Sequence, residues 1–125
     1  MKIAFTSSEG TQVDRHFGES EAFYVWDIDP QAATFLGRLT VPERDGQEDR
    51  ILARADLVAG CTVVCTVQIG GPAAAKLVAR HIHPLKTTQG TPVSEMITSL
   101  QTVLRGKTPP WLRKAMAAAP ANPAA

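Results

Sequence analysis

Three places in this chain carry residues able to do chemistry. The first is the run Gln12-Val13-Asp14-Arg15-His16-Phe17-Gly18, which puts a charged pair, an imidazole and an aromatic ring into one short connection. An imidazole on such a mobile connection can ligate iron or another transition metal, or carry a proton near neutral pH. Solvent exposure or a local capping role is the plain alternative for His16. Arg15 can pair with Asp14 or with an anionic ligand.

The second place is Gly70-Gly71-Pro72, at the junction of an apolar run and a helical pattern. Free backbone N–H groups and the positive end of a helix dipole favour an anion there, although glycine also serves such turns for geometry alone. No Gly-Lys-Ser/Thr follows, and three spaced glycines are missing, so it is neither a Walker loop nor a dinucleotide fingerprint. Lys76 and Arg80, four apart on the helix that follows, share its outer face, where solvation explains them as well as ligand attraction does.

The third is the set of cysteines and paired histidines. Cys61 and Cys65 are too few for a secreted disulfide scaffold. On a strand, four residues span about 13 Å, too far for a disulfide or a shared metal ion. Cys65 reads as a small core residue, and Cys61, at the strand's entry, as the more accessible of the two. His81 and His83 fall on one face of a strand, but no cysteine or carboxylate accompanies them at ligand spacing, so surface or packing roles fit them best.

These residues need elements to hold them. Lys2 to Thr6 reads as a strand, with Ile3 and Phe5 on one face and Ala4 on the other. Ala22 to Ile28 and Ala33 to Val41 form a hairpin around Asp29-Pro30-Gln31. After a polar loop, Pro42 to Glu48, a helix carries Ile51, Leu52, Ala55 and Val58 inward, with Glu48, Asp49, Arg50 and Arg54 on its other face and Gly60 at its end. Thr62 to Ile69 is a strand buried on both faces. Pro72 opens a helix with Ala74, Leu77 and Val78 inward. Ile82 to Lys86 is an edge strand marked by Pro84. Thr91 is the expected N-cap of a last amphipathic helix through Leu104, ended by Gly106 and Pro109-Pro110. The order β-β-β-α-β-α-β-α predicts an α/β fold, a mixed sheet with helices on its faces. If the first and fourth strands are neighbours, Thr6 to Gly10, the Asp14 to Gly18 loop and Gln68 to Pro72 line a crevice at their carboxyl ends.

Composition narrows the function classes. The 125 residues are 44% hydrophobic and 20% charged, enough for a single domain with its own core. A net charge of +1 with no basic block argues against a dedicated nucleic-acid binder. No stretch approaches the roughly 20 apolar residues of a membrane span, and Met1 to Phe5 is too short for a secretory signal, so a cytoplasmic protein is expected. A two-metal nuclease needs convergent carboxylates, one usually from the first strand, and Lys2 to Thr6 has none. No nucleophile elbow is present, and hydrolysis is disfavoured.

Met1-Lys2-Ile3-Ala4-Phe5, Val13-Asp14-Arg15-His16-Phe17-Gly18, Ile69-Gly70-Gly71-Pro72-Ala73-Ala74, Ile82-His83-Pro84 and Pro109-Pro110-Trp111-Leu112-Arg113-Lys114 together resemble the nitrogenase cofactor carrier family of NifX, NifY and VnfX proteins, whose domain also occurs in the C-terminal part of NifB. The resemblance runs from Lys2 to about Lys114. It implies a ribonuclease-H-like, mixed five-stranded sheet without nuclease activity, spanning residues 1–114 as one cofactor-binding domain, with 115–125 an Ala/Pro-rich flexible tail. It further implies a non-catalytic protein that binds an iron–sulfur precursor of the iron-molybdenum cofactor, or the cofactor itself, and passes it from a NifB-like donor to a NifE/NifN-like scaffold. His16 falls on the family's cofactor-binding histidine and is the expected metal ligand, with Arg15, Gly70, Gly71 and Lys76 in support. A monomer is expected. No N-terminal domain of the kind some relatives carry is expected either, nor their docking on apo-nitrogenase. An interaction module that regulates nitrogenase assembly without holding the cluster is the competing reading.

Overall fold

A computed structural model of the chain describes residues 1–43 and 46–118. In chain order the elements are β1 (Lys2–Thr6), β2 (Gln12–Val13), a 3-10 turn (Phe17–Glu19), β3 (Ala22–Ile28), β4 (Ala33–Thr40), α1 (Gln47–Leu57), β5 (Val63–Thr66), α2 (Gly71–Ala79), β6 (His83–Lys86), β7 (Thr91–Pro92), α3 (Val93–Arg105) and α4 (Pro110–Ala118).

Alternation in two short strands decides the layering. Ile3 and Phe5 of β1 and Val63 and Cys65 of β5 belong to one apolar cluster, and Ala4 and Val64 to another on the opposite face. Both strands are thereby apolar on both sides and must be covered on both sides. Helices α1 and α2 cover one face through Ala55, Val58, Ala73 and Leu77. Helices α3 and α4 cover the other through Val93, Ile97, Leu100 and Leu112. Phe5, Phe17 and Phe23 are fully buried between these layers, and each contributes about 1.5–3 kcal/mol by leaving water.

The five-stranded sheet runs β4-β3-β1-β5-β6. β1 lies parallel to β5, with Ile3 opposite Val63, and β5 parallel to β6, while β3 and β4 add an antiparallel hairpin. This is the mixed, ribonuclease-H-like sheet that the sequence led us to expect, with β6 and its Pro84 at an edge. Two short strands add to the expected order: Val13 of β2 pairs with Thr91 of β7, tying the loop after β1 to the start of α3.

Local differences from the sequence reading each have a physical cause. β5 leaves the sheet after Thr66, because the Val67 N–H donates to the Arg15 carbonyl at 3.3 Å and the Gln68 carbonyl accepts the Phe17 N–H at 2.8 Å. Thr91 is not a helix cap: it pairs in β7, its hydroxyl donates to the Thr88 carbonyl, and Pro92 takes the cap position. Val78 is 60% exposed, since the inward stripe of α2 runs through Ala73 and Leu77. Arg54 turns inward rather than outward and is 6% exposed. Helix α4 is a fourth helix beyond the expected order: Pro109-Pro110 was expected to end the helical pattern, but Pro110–Ala118 is helical, including residues 115–118 where a flexible tail was expected. The rest of that tail, 119–125, lies outside the described residues, as do residues 44 and 45 of the loop before α1.

Candidate functional site

Parallel β1 and β5 end side by side, and the loop bearing His16 is stitched across their carboxyl ends. The Thr6 hydroxyl donates to the Arg15 carbonyl at 2.8 Å, and the Thr66 hydroxyl lies 3.2 Å from the same oxygen. On the other side of His16, the Phe17 N–H bonds to Gln68, and the Phe17 ring is fully buried with its centroid 5.6 Å from that of Phe23. The His16 backbone is therefore pinned on both sides and is not a mobile connection. Its carbonyl accepts the Glu19 and Ser20 N–H groups and opens the 3-10 turn. The imidazole points outward: it is exposed and has no hydrogen-bond partner among the described residues. Both ring nitrogens are thus free for a ligand, with no conformational preparation beyond a rotamer change.

Asp14 does not pair with Arg15. Its carboxylate accepts from the Ser8 N–H at 2.9 Å and the Ser8 hydroxyl at 2.7 Å, closing the loop on itself. Arg15 is left exposed, with no ion pair among the described residues, and faces a hollow of about 410 Å³ shared with Ser7, Ser8, Glu19 and Arg38.

On the other flank of the turn lies an open groove of about 540 Å³. Gly18 and Glu19 form one wall, Gly46, Arg50, Ile51 and Arg54 a second, and Gly70, Pro72 and Ala73 the start of α2 a third. Gly70 is the N-cap of α2 and offers no side-chain cap, so the Gly71 and Ala73 amides have no intrahelical acceptor. Arg54 Nη2 donates to the Ser20 carbonyl at 2.9 Å and Nη1 to the Arg50 carbonyl at 3.2 Å, while its buried Nε has no partner. Burial, and secondarily the nearby Arg50 charge, lowers the Arg54 pKa from its ordinary value, but a guanidinium keeps its proton at any pH the protein meets. The groove thus has a fixed positive bias.

The Phe17–Gln68 bond brings the His16 turn and the Gly70-Gly71 turn to the same end of the sheet, but of His16, Gly70 and Gly71 only Gly70 lines the groove. Lys76 is half-buried on the later part of α2 and does not line the groove, and Arg80 is engaged with Asp56. The sequence reading missed Arg54 as a site residue. Its spacing held the signal, because position 54 falls on the same helical stripe as Ile51, Ala55 and Val58.

The cysteines stand apart from this site. Cys61, expected to be accessible, is 5% exposed because it packs with Ala55, Val58 and Ile82 beneath α1. Burial pushes its thiol up to about 11 and that of Cys65 up to about 12. Neither is a thiolate at neutral pH, the form a metal needs. His81 and His83 do not share a strand face: His81 occupies a left-handed turn at φ 61°, and His83 opens β6, stacked on Trp111 at 4.4 Å. Among the described residues, no three His, Cys, Asp or Glu side chains converge as a metal ion would need, and no helix is long and apolar enough to cross a membrane.

Comparisons with known proteins bear on the family and the fold of the chain. A NifX of Herbaspirillum seropedicae is 35% identical over 93% of this chain and 82% of its own length. A NifY of Azotobacter vinelandii is 39% identical over 96% of this chain, which spans 50% of that protein. The NifX of Azotobacter vinelandii is 35% identical, with 93% of this chain and 75% of the relative covered. Among solved structures, the crystal structure of PH0822 shares the fold with a TM-score of 0.66 at 22% identity, covering 82% of this chain and 89% of that one. The sequence profile of the family described as dinitrogenase iron-molybdenum cofactor matches residues 1–103, and with more than half of its length inside that match the chain belongs to the dinitrogenase iron-molybdenum cofactor family.

Proposed function

We propose that this protein is a non-catalytic carrier in nitrogenase cofactor handling, which takes up an iron–sulfur precursor of the iron-molybdenum cofactor, or the cofactor itself, and hands it on unchanged. The observation that carries the reading is the exposed, unpartnered His16 imidazole on a pinned backbone, beside a positively biased groove, in a chain of this family. A preassembled cluster brings its own sulfides, so the protein need supply only one or two ligands rather than four cysteines. His16 is that ligand. The cluster is anionic, and Arg15, the Gly70-Gly71 turn and, from farther along α2, Lys76 add attraction. One protein ligand also means modest affinity and an open route for release, which a closed ligand set would deny. The donor is a NifB-like protein and the acceptor a NifE/NifN-like scaffold in the cytoplasm, with the carrier acting as a monomer.

Anaerobic titration with isolated precursor cluster, followed by absorption and iron analysis, tests this directly. Wild-type protein takes up cluster, and His16→Ala loses most of that uptake while keeping its fold. Equal uptake by the variant removes His16 from the reading, and no uptake by the wild type removes the carrier role in favour of an interaction module.

A further inference from the structure

Two sequence runs that the carrier role leaves unused meet in space. Ile82-His83-Pro84 leads into β6, and Pro109-Pro110-Trp111-Leu112-Arg113-Lys114 spans the start of α4. The His83 imidazole stacks on the Trp111 indole, with the ring centroids 4.4 Å apart. Beside that stack lies an open groove of about 290 Å³, lined by Val78 near the end of α2, His81, His83, Trp111, Lys114 and Ala115. His83 begins β6 opposite Val63, at the amino-terminal end of the parallel strands, whereas the His16 turn crosses their carboxyl ends. The groove is therefore remote from the candidate cargo loop.

Its walls are apolar and its rim is cationic. Val78 is 60% exposed, and half-buried Trp111 lines the same groove. From Leu57 onward the sequence holds seven Lys and Arg but a single acid, Glu95 at the start of α3, while residues 1–56 hold the other eleven acids. The elements around the groove, α2, β6 and α4, therefore carry no carboxylate of their own. Asp56 of α1 is spent on Arg80, and exposed Lys114 has no ion pair among the described residues.

We propose that this groove docks an acidic segment of a partner protein, whose one apolar anchor side chain seats between Val78 and Trp111 while its carboxylates face Lys114. Charge complementarity selects that occupant, because a surface with cations and no carboxylate steers acidic partners to it and repels basic ones. The chain's own Ala/Pro run, 119–125, has no acid to offer. Lys114 is the one lysine or arginine lining the groove, far short of the basic stripe that a nucleic acid needs. A volume of about 290 Å³ falls below the roughly 300–1,000 Å³ of small-molecule sites, and suits a side chain instead. Trp111 is held by the stacked His83 ring before anything binds, so little rotamer entropy is lost when an anchor packs on it. Such fixed aromatic side chains carry a large share of interface free energy. Docking at this end leaves the His16 turn uncovered. The inference goes beyond the carrier reading and uses none of its residues.

The test is titration of isotope-labelled, cluster-free protein with short Asp/Glu-rich peptides, each bearing one Leu, Ile or Phe, followed by NMR of the Trp111 indole N–H and the Val78 methyl groups. Saturable shifts at both are expected, and they should vanish when Ser replaces the peptide's apolar residue or Lys replaces its acids. Val78→Glu and Lys114→Glu both fall at exposed helix positions and leave the core untouched. The first weakens binding about tenfold, by removing an apolar wall and adding a like charge. The second weakens it about fivefold, by reversing the rim charge. No saturable shift with any of the peptides, or equal affinity in wild type and both variants, overturns the proposal. The same shifts at comparable affinity from a DNA oligonucleotide or from phosphatidylserine vesicles also overturn it, in favour of a general polyanion surface. So does a concentration-dependent dimer in sedimentation that Val78→Glu abolishes, which assigns the groove to a second copy of the chain. None of these readouts involves a cluster, so their failure leaves the carrier reading intact, and failed cluster uptake leaves the docking surface intact.

Discussion

The Thr6 hydroxyl donates to the carbonyl of Arg15 across 2.8 Å, joining the last residue of β1 to the residue before His16. Thr66, the last residue of the parallel neighbour β5, places its own hydroxyl 3.1 Å from that of Thr6. Two strand ends thus hold one loop carbonyl. The candidate ligand is exposed, yet it stands on backbone fastened to the centre of the sheet. A rigid base with a free side chain suits repeated capture and release, because little ordering entropy is lost on each binding event.

Removing the stitch should loosen the loop without dissolving the fold. Thr6→Val keeps the shape of the buried side chain and deletes the hydrogen bond, leaving the Arg15 carbonyl to Thr66 and Val67. A loss of about 1–2 kcal/mol in unfolding free energy is expected. Chemical denaturation measures that loss, and amide exchange should quicken at Phe17 and Val67. Unchanged exchange at both amides would show that the loop holds its position without Thr6.

His83 provides a pH-dependent contribution far from the site. Burial against Trp111 lowers its pKa from the ordinary 6.5, so the folded state binds its proton less readily than the unfolded chain does. The sign follows from linkage: this contribution to stability is full above 6.5 and declines as pH falls through 6.5 toward the lowered folded value, with no further loss below it. Trp111 reports the step, because an imidazolium stacked on an indole quenches its fluorescence. Trp26→Phe isolates that signal, and it should change stability by less than about 1 kcal/mol, since the buried Trp26 Nε1 has no partner to lose. A quenching midpoint above 6.5 would contradict the burial argument.

The two thiols should be inert in the folded protein. With Cys61 pushed up to about 11 and Cys65 to about 12, both stay protonated and shielded at neutral pH. Iodoacetamide should modify neither within the time that fully labels both after unfolding in denaturant. Rapid labelling of Cys61 in the native protein would show that the layer under α1 opens readily and would return this thiol to consideration as a ligand.

Periodicity made much of the fold legible in advance. The alternation of Ile3, Ala4 and Phe5, the unbroken apolar run around Val64 and the glycine turn before Pro72 are local patterns, and local patterns translate into strand faces and helix starts. The residue type and loop context of His16 likewise marked it as a candidate before any coordinates.

What sequence alone determined, then, is where the five strands of the main sheet and the first three helices lie, that the central strands are apolar on both faces, and that His16 and the Gly70-Gly71 turn are candidates for binding chemistry. What only the tertiary structure decided is how distant segments share backbone and space: that Thr6 and Thr66 grip Arg15, that Cys61 is sealed beneath α1, that His83 stacks on Trp111, and that Arg54 opens onto the start of α2. Side-chain identity and spacing encode a residue's own preferences, whereas burial and hydrogen-bond partners depend on which remote elements the hydrophobic core presses together.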